Sequence, residues 1–255
     1  MDKRRKHLLV LIVLLLLVAA ACGCHFWRAF HAREQEQQVF ETLEDDTVLP
    51  DPSGAPEREV REGLQQEIIL HDNVALSSSN DDYVGWLTIP DTVISYPIMY
   101  SPLEPERYLH LDFYRQYSYS GTPFLDARCD PNEGNLIIYG HNMINGTMFG
   151  NLKSYRNADF LSNHKTVYLE LADGVHVFEV FSAVSVEKTD PWYAFLHALE
   201  AGEESAWVAE LEGKRGTHSG AVPIGTERLL TLSTCTGNRR AERLIVVAKE
   251  VEVIP

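Results

Sequence analysis

Cys235 ends an apolar run, Leu229-Leu230-Thr231-Leu232-Ser233-Thr234-Cys235, and Arg243 opens another, Arg243-Leu244-Ile245-Val246-Val247. Both runs read as β-strands. The first would deliver a thiol at its C-terminal end and the second a guanidinium at its start. A lone cysteine is usually a small buried hydrophobe. A thiol fixed at a strand end beside a cation is instead suited to attack a carbonyl, with the cation meeting the developing oxyanion. Arg239 and Arg240 are nearer in sequence but sit in a Gly-Asn-Arg-Arg turn, where they would be solvated. A rigid fork aimed at one oxygen favours Arg243, whose Cα a strand would hold.

Such a thiol needs a proton partner. His141, in Tyr139-Gly140-His141-Asn142, follows a strand through a glycine. Strand-end loops hold side chains firmly and leave them reachable. Of ten histidines, His7, His25 and His31 lie at or near an apolar N-terminal segment, and His71 reads as linker. His164 and His176 read as exposed strand positions, and His197 and His218 fall in or beside a helical stretch. His110 is the serious rival. The histidine precedes the cysteine, the reverse of a papain-like protease. No metal cluster, phosphate loop or paired-carboxylate motif stands out, and no cofactor is expected.

The elements that must position these groups are mostly strands. Tyr83–Ile89 alternates and ends at Pro90-Asp91, a turn signal. Val93–Met99, Asn135–Tyr139, Thr166–Leu171, Val175–Val186, Leu229–Thr234 and Leu244–Val253 follow. Ala172-Asp173-Gly174 makes a hairpin of the middle pair. Residues 191–212 place Trp192, Phe195, Leu196, Leu199, Trp207, Val208 and Leu211 at mostly helical spacings, interrupted at Gly202. Seven or eight strands with one inserted helix near 191–212 predict a mainly β fold, a closed or nearly closed barrel.

The N-terminus reads as a membrane address. Lys3-Arg4-Arg5-Lys6 precedes an uncharged run from Leu8 to Trp27. Twenty helical residues span about 30 Å, one hydrocarbon core. The basic cluster would stay cytoplasmic and place the C-terminal bulk outside, a single-pass anchor at the cell membrane. A signal peptide cleaved near Ala19-Ala20-Ala21 and lipid attachment at Cys22 are alternatives. The division expected is a stub and anchor over 1–27, a juxtamembrane helix and linker over 28–79, and a catalytic barrel over 80–255. Pro50-Asp51-Pro52-Ser53-Gly54-Ala55-Pro56 marks the linker. Net charge is −15, and residues beyond 30 hold 17 Lys/Arg against 36 Asp/Glu. That surface repels phosphate backbones, which argues against nucleic acid as a partner. Four cysteines without a C-x-x-C motif argue against a disulfide scaffold or structural zinc.

Three segments together resemble a known family: Thr231–Cys235 with Arg243-Leu244-Ile245-Val246, Tyr139-Gly140-His141-Asn142, and Asn145-Gly146-Thr147-Met148-Phe149-Gly150-Asn151-Leu152. They look like a sortase, and the Gly-Thr-Met-Phe-Gly segment looks like class B. The resemblance covers about residues 80–253. It implies a cysteine transpeptidase that cleaves a C-terminal sorting signal of a secreted protein after threonine. Cys235 would form a thioacyl intermediate, His141 would pass protons and Arg243 would steady the oxyanion. A peptidoglycan precursor amine would resolve the intermediate. Tyr139, Ser233 and Thr234 match positions near the family's groove. Signals of the Asn-Pro-x-Thr-Asn or Pro-x-Thr-Gly type are implied. Thr236 stands where some class B members carry an acid. Two other functions use the same residues differently: a tethered cysteine protease that hydrolyses the acyl-enzyme, and a surface module in which Cys235 is a core thiol.

Overall fold

The structure is a computed structural model describing residues 3–48, 70–196, 204–221, 223, 228–237 and 241–255. The chain forms two units, Met1–Glu41 and Thr42–Pro255. The first is helical. Helix α1 spans Lys3–Thr47, so its last residues fall in the second unit. Its side chains from Ile12 to Val18 are apolar and exposed. Side chains of residues 3–11 lie outside those described. Among the described residues, no helix is long and apolar enough to cross a membrane.

Among the described residues the second unit is built on nine strands: β1 (Tyr83–Thr88), β2 (Ser95–Met99), β3 (Phe124–Leu125), β4 (Asn135–Tyr139), β5 (Thr166–Leu171), β6 (Gly174–Glu187), β7 (Gly216–His218), β8 (Leu229–Cys235) and β9 (Glu242–Ile254). Neighbours run β5-β1-β2-β3-β4-β8-β9-β6, and β5 also pairs with β6. Eight strands therefore close into a barrel, which leaves no free edge among them. Strand β7 adds to β6 outside the ring. The predicted barrel of seven to eight strands is what forms. The sequence reading passed over β3 and β7, two and three residues long, because so short a stretch shows no periodicity.

Strand β6 is rich in Val and Phe, residues that suit a pleated and packed surface. It reaches 14 residues and pairs with β5, β7 and β9. The hairpin turn sits on Ala172-Asp173, and Gly174 already pairs with Leu171. Gly174 has φ 139°, and a Cβ there would stand 2.3 Å from the Ile254 carbonyl oxygen. Only glycine fits that approach.

Short helices decorate the barrel. They are α2 (Asn73–Ser79), α3 (Ala158–Asn163), α4 (Glu204–Glu212) and 3₁₀ turns at Phe149–Arg156 and Pro191–Ala194. The single helix expected over 191–212 is thus a 3₁₀ turn and a separate helix. Asp190 caps the turn by accepting from the Trp192 N–H, with Pro191 at its first position. His197, Leu199 and Gly202 lie outside the described residues.

Leu43 and Leu76 share a buried cluster with Tyr83, Trp86, Met99, Tyr108, Phe113 and Phe124. His71, which reads as linker, and His176, which reads as an exposed strand position, are both buried. His71 is 2% exposed, stacks on Trp86 at 4.0 Å and holds Glu170 twice, through Nδ1 (2.7 Å) and its backbone N–H (2.9 Å). His176, also 2% exposed, lies 2.6 Å from Glu250 and 2.9 Å from Asp173. The partners Glu170 and Glu250 are 99 and 74 residues away in sequence, so local pattern could not pair them.

Candidate active site

Strand β8 runs between β4 and β9, parallel to the first and antiparallel to the second. This placement assembles the site. Tyr139 pairs with Ser233 at the end of the β4–β8 ladder, and Cys235 pairs with Arg243 at the end of the β8–β9 ladder. Side chains alternate along a strand, so Thr231, Ser233 and Cys235 share one face. On that face the Trp192 Nε1–H donates to Thr231 Oγ1 (3.0 Å), and Tyr193 and Ser233 share a hydroxyl bond (2.8 Å). The turn at Pro191–Ala194 is thereby pinned beside the thiol as a wall.

The β4–β8 pairing continues past its last ladder pair. The Gly140 N–H donates to the Ser233 carbonyl (3.1 Å), Thr234 Oγ1 donates to the Gly140 carbonyl (2.7 Å), and Asn142 Nδ2 donates to the Cys235 carbonyl (2.7 Å). His141 and Cys235 each follow their paired residue by two positions, so parallel strands bring them out side by side on the same face. Gly140 is required here. A Cβ would stand 2.6 Å from the ring of Phe149, which is fully buried and cannot yield.

The imidazole is held from the other side by the last residue of the 3₁₀ turn Arg107–Leu109. His141 Nε2 lies 3.0 Å from the Leu109 carbonyl. A carbonyl only accepts, so the neutral ring carries its proton on Nε2 and keeps Nδ1 for the sulfur or an amine. The exposed ring of His110 stacks on His141 at 5.7 Å and on Tyr117 at 6.3 Å. The rival histidine is thus a neighbour of the first. Burial lowers the pKa of His141. The Leu109 bond opposes that shift, and the His110 charge adds to it.

Cys235 is exposed, and Cys129 is a buried thiol pushed up to about 11 by burial. Arg243 Nη1 donates to the Glu242 carbonyl (3.2 Å). Thr236 Oγ1 donates to Glu242 Oε2 (2.7 Å), so a carboxylate approaches the residue after the thiol from across the β8–β9 turn. Arg239 and Arg240 lie outside the described residues.

His141, Cys235, Arg243, Tyr139, Ser233 and Thr234 all line one open cleft of about 730 Å³. Ser233 and Thr234 are 1% and 4% exposed, their hydroxyls engaged with Tyr193 and the Gly140 carbonyl. The Tyr139 ring stacks on Tyr193 at 6.2 Å, and its hydroxyl donates to Asp126 (2.8 Å). Burial pushes Tyr193 up to about 12, against the pull of the Ser233 bond and the Arg243 charge. Asp126 is held below the usual carboxylate range: burial pushes it up, but bonds from Arg128 and Tyr139 outweigh that. Sequence reasoning missed Asp126, Arg128, Tyr193 and Leu109 as cleft residues. Their partners across the cleft lie far apart in sequence, so no local pattern marked them.

A model of the sortase domain matches residues 87–251. Sortase B of Listeria monocytogenes is 31% identical over 219 residues, covering 84% of this chain and 88% of the relative. Among solved structures, a Staphylococcus aureus sortase B–substrate complex superposes with a TM-score of 0.70 at 25% identity, over 87% of this chain and 99% of that one. Clostridium perfringens sortase B gives 0.63 at 30% identity, over 70% and 99%. With a closed eight-stranded barrel and relatives of one kind over most of its length, the chain belongs to the sortases, in class B, and is a cysteine transpeptidase.

Proposed function

We propose that the protein cleaves a C-terminal sorting signal after threonine and passes the acyl group to an amine of a cell-wall precursor. Cys235 attacks the threonine carbonyl and forms a thioester. His141 protonates the departing amine and later takes a proton from the incoming one. Arg243 donates to the oxyanion as it forms. Tyr139, Ser233 and Thr234 shape the groove over which the peptide lies. The observation that carries this reading is the position of Cys235: exposed at the end of β8, register partner of Arg243, and beside the loop bearing His141.

The balance is simple. The sulfur–carbon bond forms as the peptide carbon–nitrogen bond breaks, with the thiol proton leaving on the amine. The second step reverses this with a new amine. Residues 1–27 serve as a cytoplasmic stub and membrane anchor, supported by the basic cluster and the uncharged run Leu8–Trp27. Residues 28–79 tether the barrel of 80–255 outside the cell. Substrates are then secreted proteins bearing the signal.

The test is to incubate the purified protein with an Asn-Pro-Ala-Thr-Asn peptide. Cleavage after threonine that vanishes in Cys235→Ala supports the reading. An unprocessed peptide panel, or a Cys235 that reacts with iodoacetamide far more slowly than an unfolded-chain thiol, removes it.

A further inference from the structure

A row of aromatic rings leads from the reacting imidazole to the outer surface. The His110 ring stacks on His141 at 5.7 Å and 26°, and the Tyr117 ring stacks on His110 at 6.3 Å and 27°. Offset stacking of this kind is a favoured arrangement of aromatic pairs. Tyr117 is 75% exposed and Tyr119 is 52% exposed, whereas Ser118 and Ser120 are buried. Residues 117–120 thus alternate with the period of a strand, and Tyr117 and Tyr119 project to the same side. His110, Tyr117 and Tyr119 are not among the residues that line the cleft assigned to the sorting peptide. They make a separate aromatic shelf that begins at His141 and runs outward.

The shelf is preset. Leu111 and Tyr117 pair as an antiparallel bridge, and the Ser118 N–H donates to the His110 carbonyl (3.0 Å). The turn between them is closed by the Asp112 N–H to the Gln116 carbonyl (2.9 Å) and by the Gln116 N–H to Asp112 Oδ1 (2.8 Å). Asn80 ties this hairpin to the barrel. Its Nδ2 donates to the Phe113 carbonyl (2.6 Å), and its Oδ1 accepts from Arg115 Nη2 (2.8 Å). Phe113 is fully buried beneath. Tyrosine side chains carry few rotatable bonds, so rings on a fixed hairpin lose little freedom when a ligand binds.

Ordered, exposed rings with hydroxyl tips match a pyranose sugar. Its C–H face packs on the electron-rich face of the ring, and its hydroxyls meet the tyrosine hydroxyls. Charge selects among the possible occupants. A chain of net charge −15 repels polyanionic polymers and anionic lipid surfaces, whereas an uncharged N-acetyl sugar meets no such barrier. The sorting peptide occupies the cleft, so the shelf continuous with His141 is left for the second substrate. We propose that Tyr117 and Tyr119, with His110, form a carbohydrate-binding shelf that holds an N-acetyl sugar of the cell-wall precursor while its amine approaches the acyl-enzyme. This rests on the proposed transfer from Cys235 to such an amine.

The experiment compares two acceptors with the Asn-Pro-Ala-Thr-Asn peptide. One is triglycine linked to a muramyl stem peptide without sugar. The other is the same compound bearing the N-acetylglucosaminyl-N-acetylmuramyl disaccharide. Wild type, Tyr117→Ala, Tyr119→Ala and Tyr117→Phe are assayed, with folding verified by thermal melting. The wild-type chain should use the sugar-bearing amine about tenfold better, through a lower acceptor KM. Tyr117→Ala and Tyr119→Ala should each remove most of that advantage, and Tyr117→Phe should keep it within about threefold, because the ring face is retained. Saturation-transfer NMR with chitotriose should show contact in wild type that is lost in Tyr117→Ala. Equal use of the two acceptors by wild type would overturn the inference while transpeptidation stands. So would a loss in Tyr117→Ala that is the same for both acceptors, since the ring would then act through His141 or on the peptide. If wild type transfers to neither amine, the proposed function fails first and this inference with it.

Discussion

Cys235 and Arg243 are register partners, the last pair of the β8–β9 ladder. Directly opposed residues on antiparallel strands have Cβ atoms about 5 Å apart. That pairing sets sulfur and guanidinium on neighbouring strand ends. In the proposed reaction Arg243 meets an oxyanion that exists only in the transition state. Arg243→Lys should lower kcat by about a hundredfold with KM changed far less. Steady-state kinetics on a sorting peptide reads this, and an Arg243→Lys enzyme within threefold of wild type would remove the guanidinium from the chemistry.

Gly140 joins β4 to His141 with no room for a side chain. Gly140→Ala would place a methyl group 2.6 Å from the Phe149 ring. The backbone must shift, and His141 and the bonds to Ser233 and Thr234 shift with it. Misplacement by about 1 Å commonly costs about a hundredfold in rate. A folded Gly140→Ala protein with undiminished turnover would show that the β4 end can rearrange freely.

The pH behaviour of His141 has a definite sign. Burial disfavours its charged form, so its pKa lies below the ordinary imidazole value of about 6.5. The unfolded chain binds a proton there more readily than the fold. His141 therefore costs no stability above the unfolded pKa, and stability is lost as pH falls through the lowered folded value. Titration by NMR should place the midpoint below that of a free histidine. His110→Phe keeps a ring on the stack and removes the like charge, so the midpoint should rise. A midpoint unchanged in His110→Phe would dismiss His110 as an electrostatic neighbour.

Far from the cleft, Glu170 accepts from both the His71 backbone N–H and His71 Nδ1, and both side chains are almost fully buried. Glu170→Ala leaves two buried groups unpaired and opens a void beside Trp86. The expected destabilisation is about 2–4 kcal/mol, read by urea unfolding. A change below about 0.5 kcal/mol would mean that this junction of His71 with β5 contributes little.

The long strands were legible because runs such as Leu229–Thr234 and Val175–Val186 carry β-branched and aromatic residues bounded by turn signals. The cleft's wall was not. Tyr193 was read as part of a helix, yet it joins Ser233 through one hydroxyl bond with a residue 40 positions away. His71 and His176 were misread for the same reason: each is buried by a carboxylate that folding delivers from another strand. Periodicity reports which face an element buries, but a side chain's polar partner follows from topology. The β5–β6 hairpin was legible, but the pair β1–β5 that closes the ring onto it and the parallel pair β4–β8 are topological facts that sequence pattern alone did not supply. The second of these sets His141 beside Cys235.

The most direct test is an intact-mass and product measurement on the full-length protein with an Asn-Pro-Ala-Thr-Asn peptide, with and without triglycine. The account predicts a covalent acyl adduct on Cys235, absent in Cys235→Ala, and a product that changes from free acid to triglycine amide when the amine is present. A product that stays the free acid at every amine concentration, or an adduct that survives in Cys235→Ala, would contradict it.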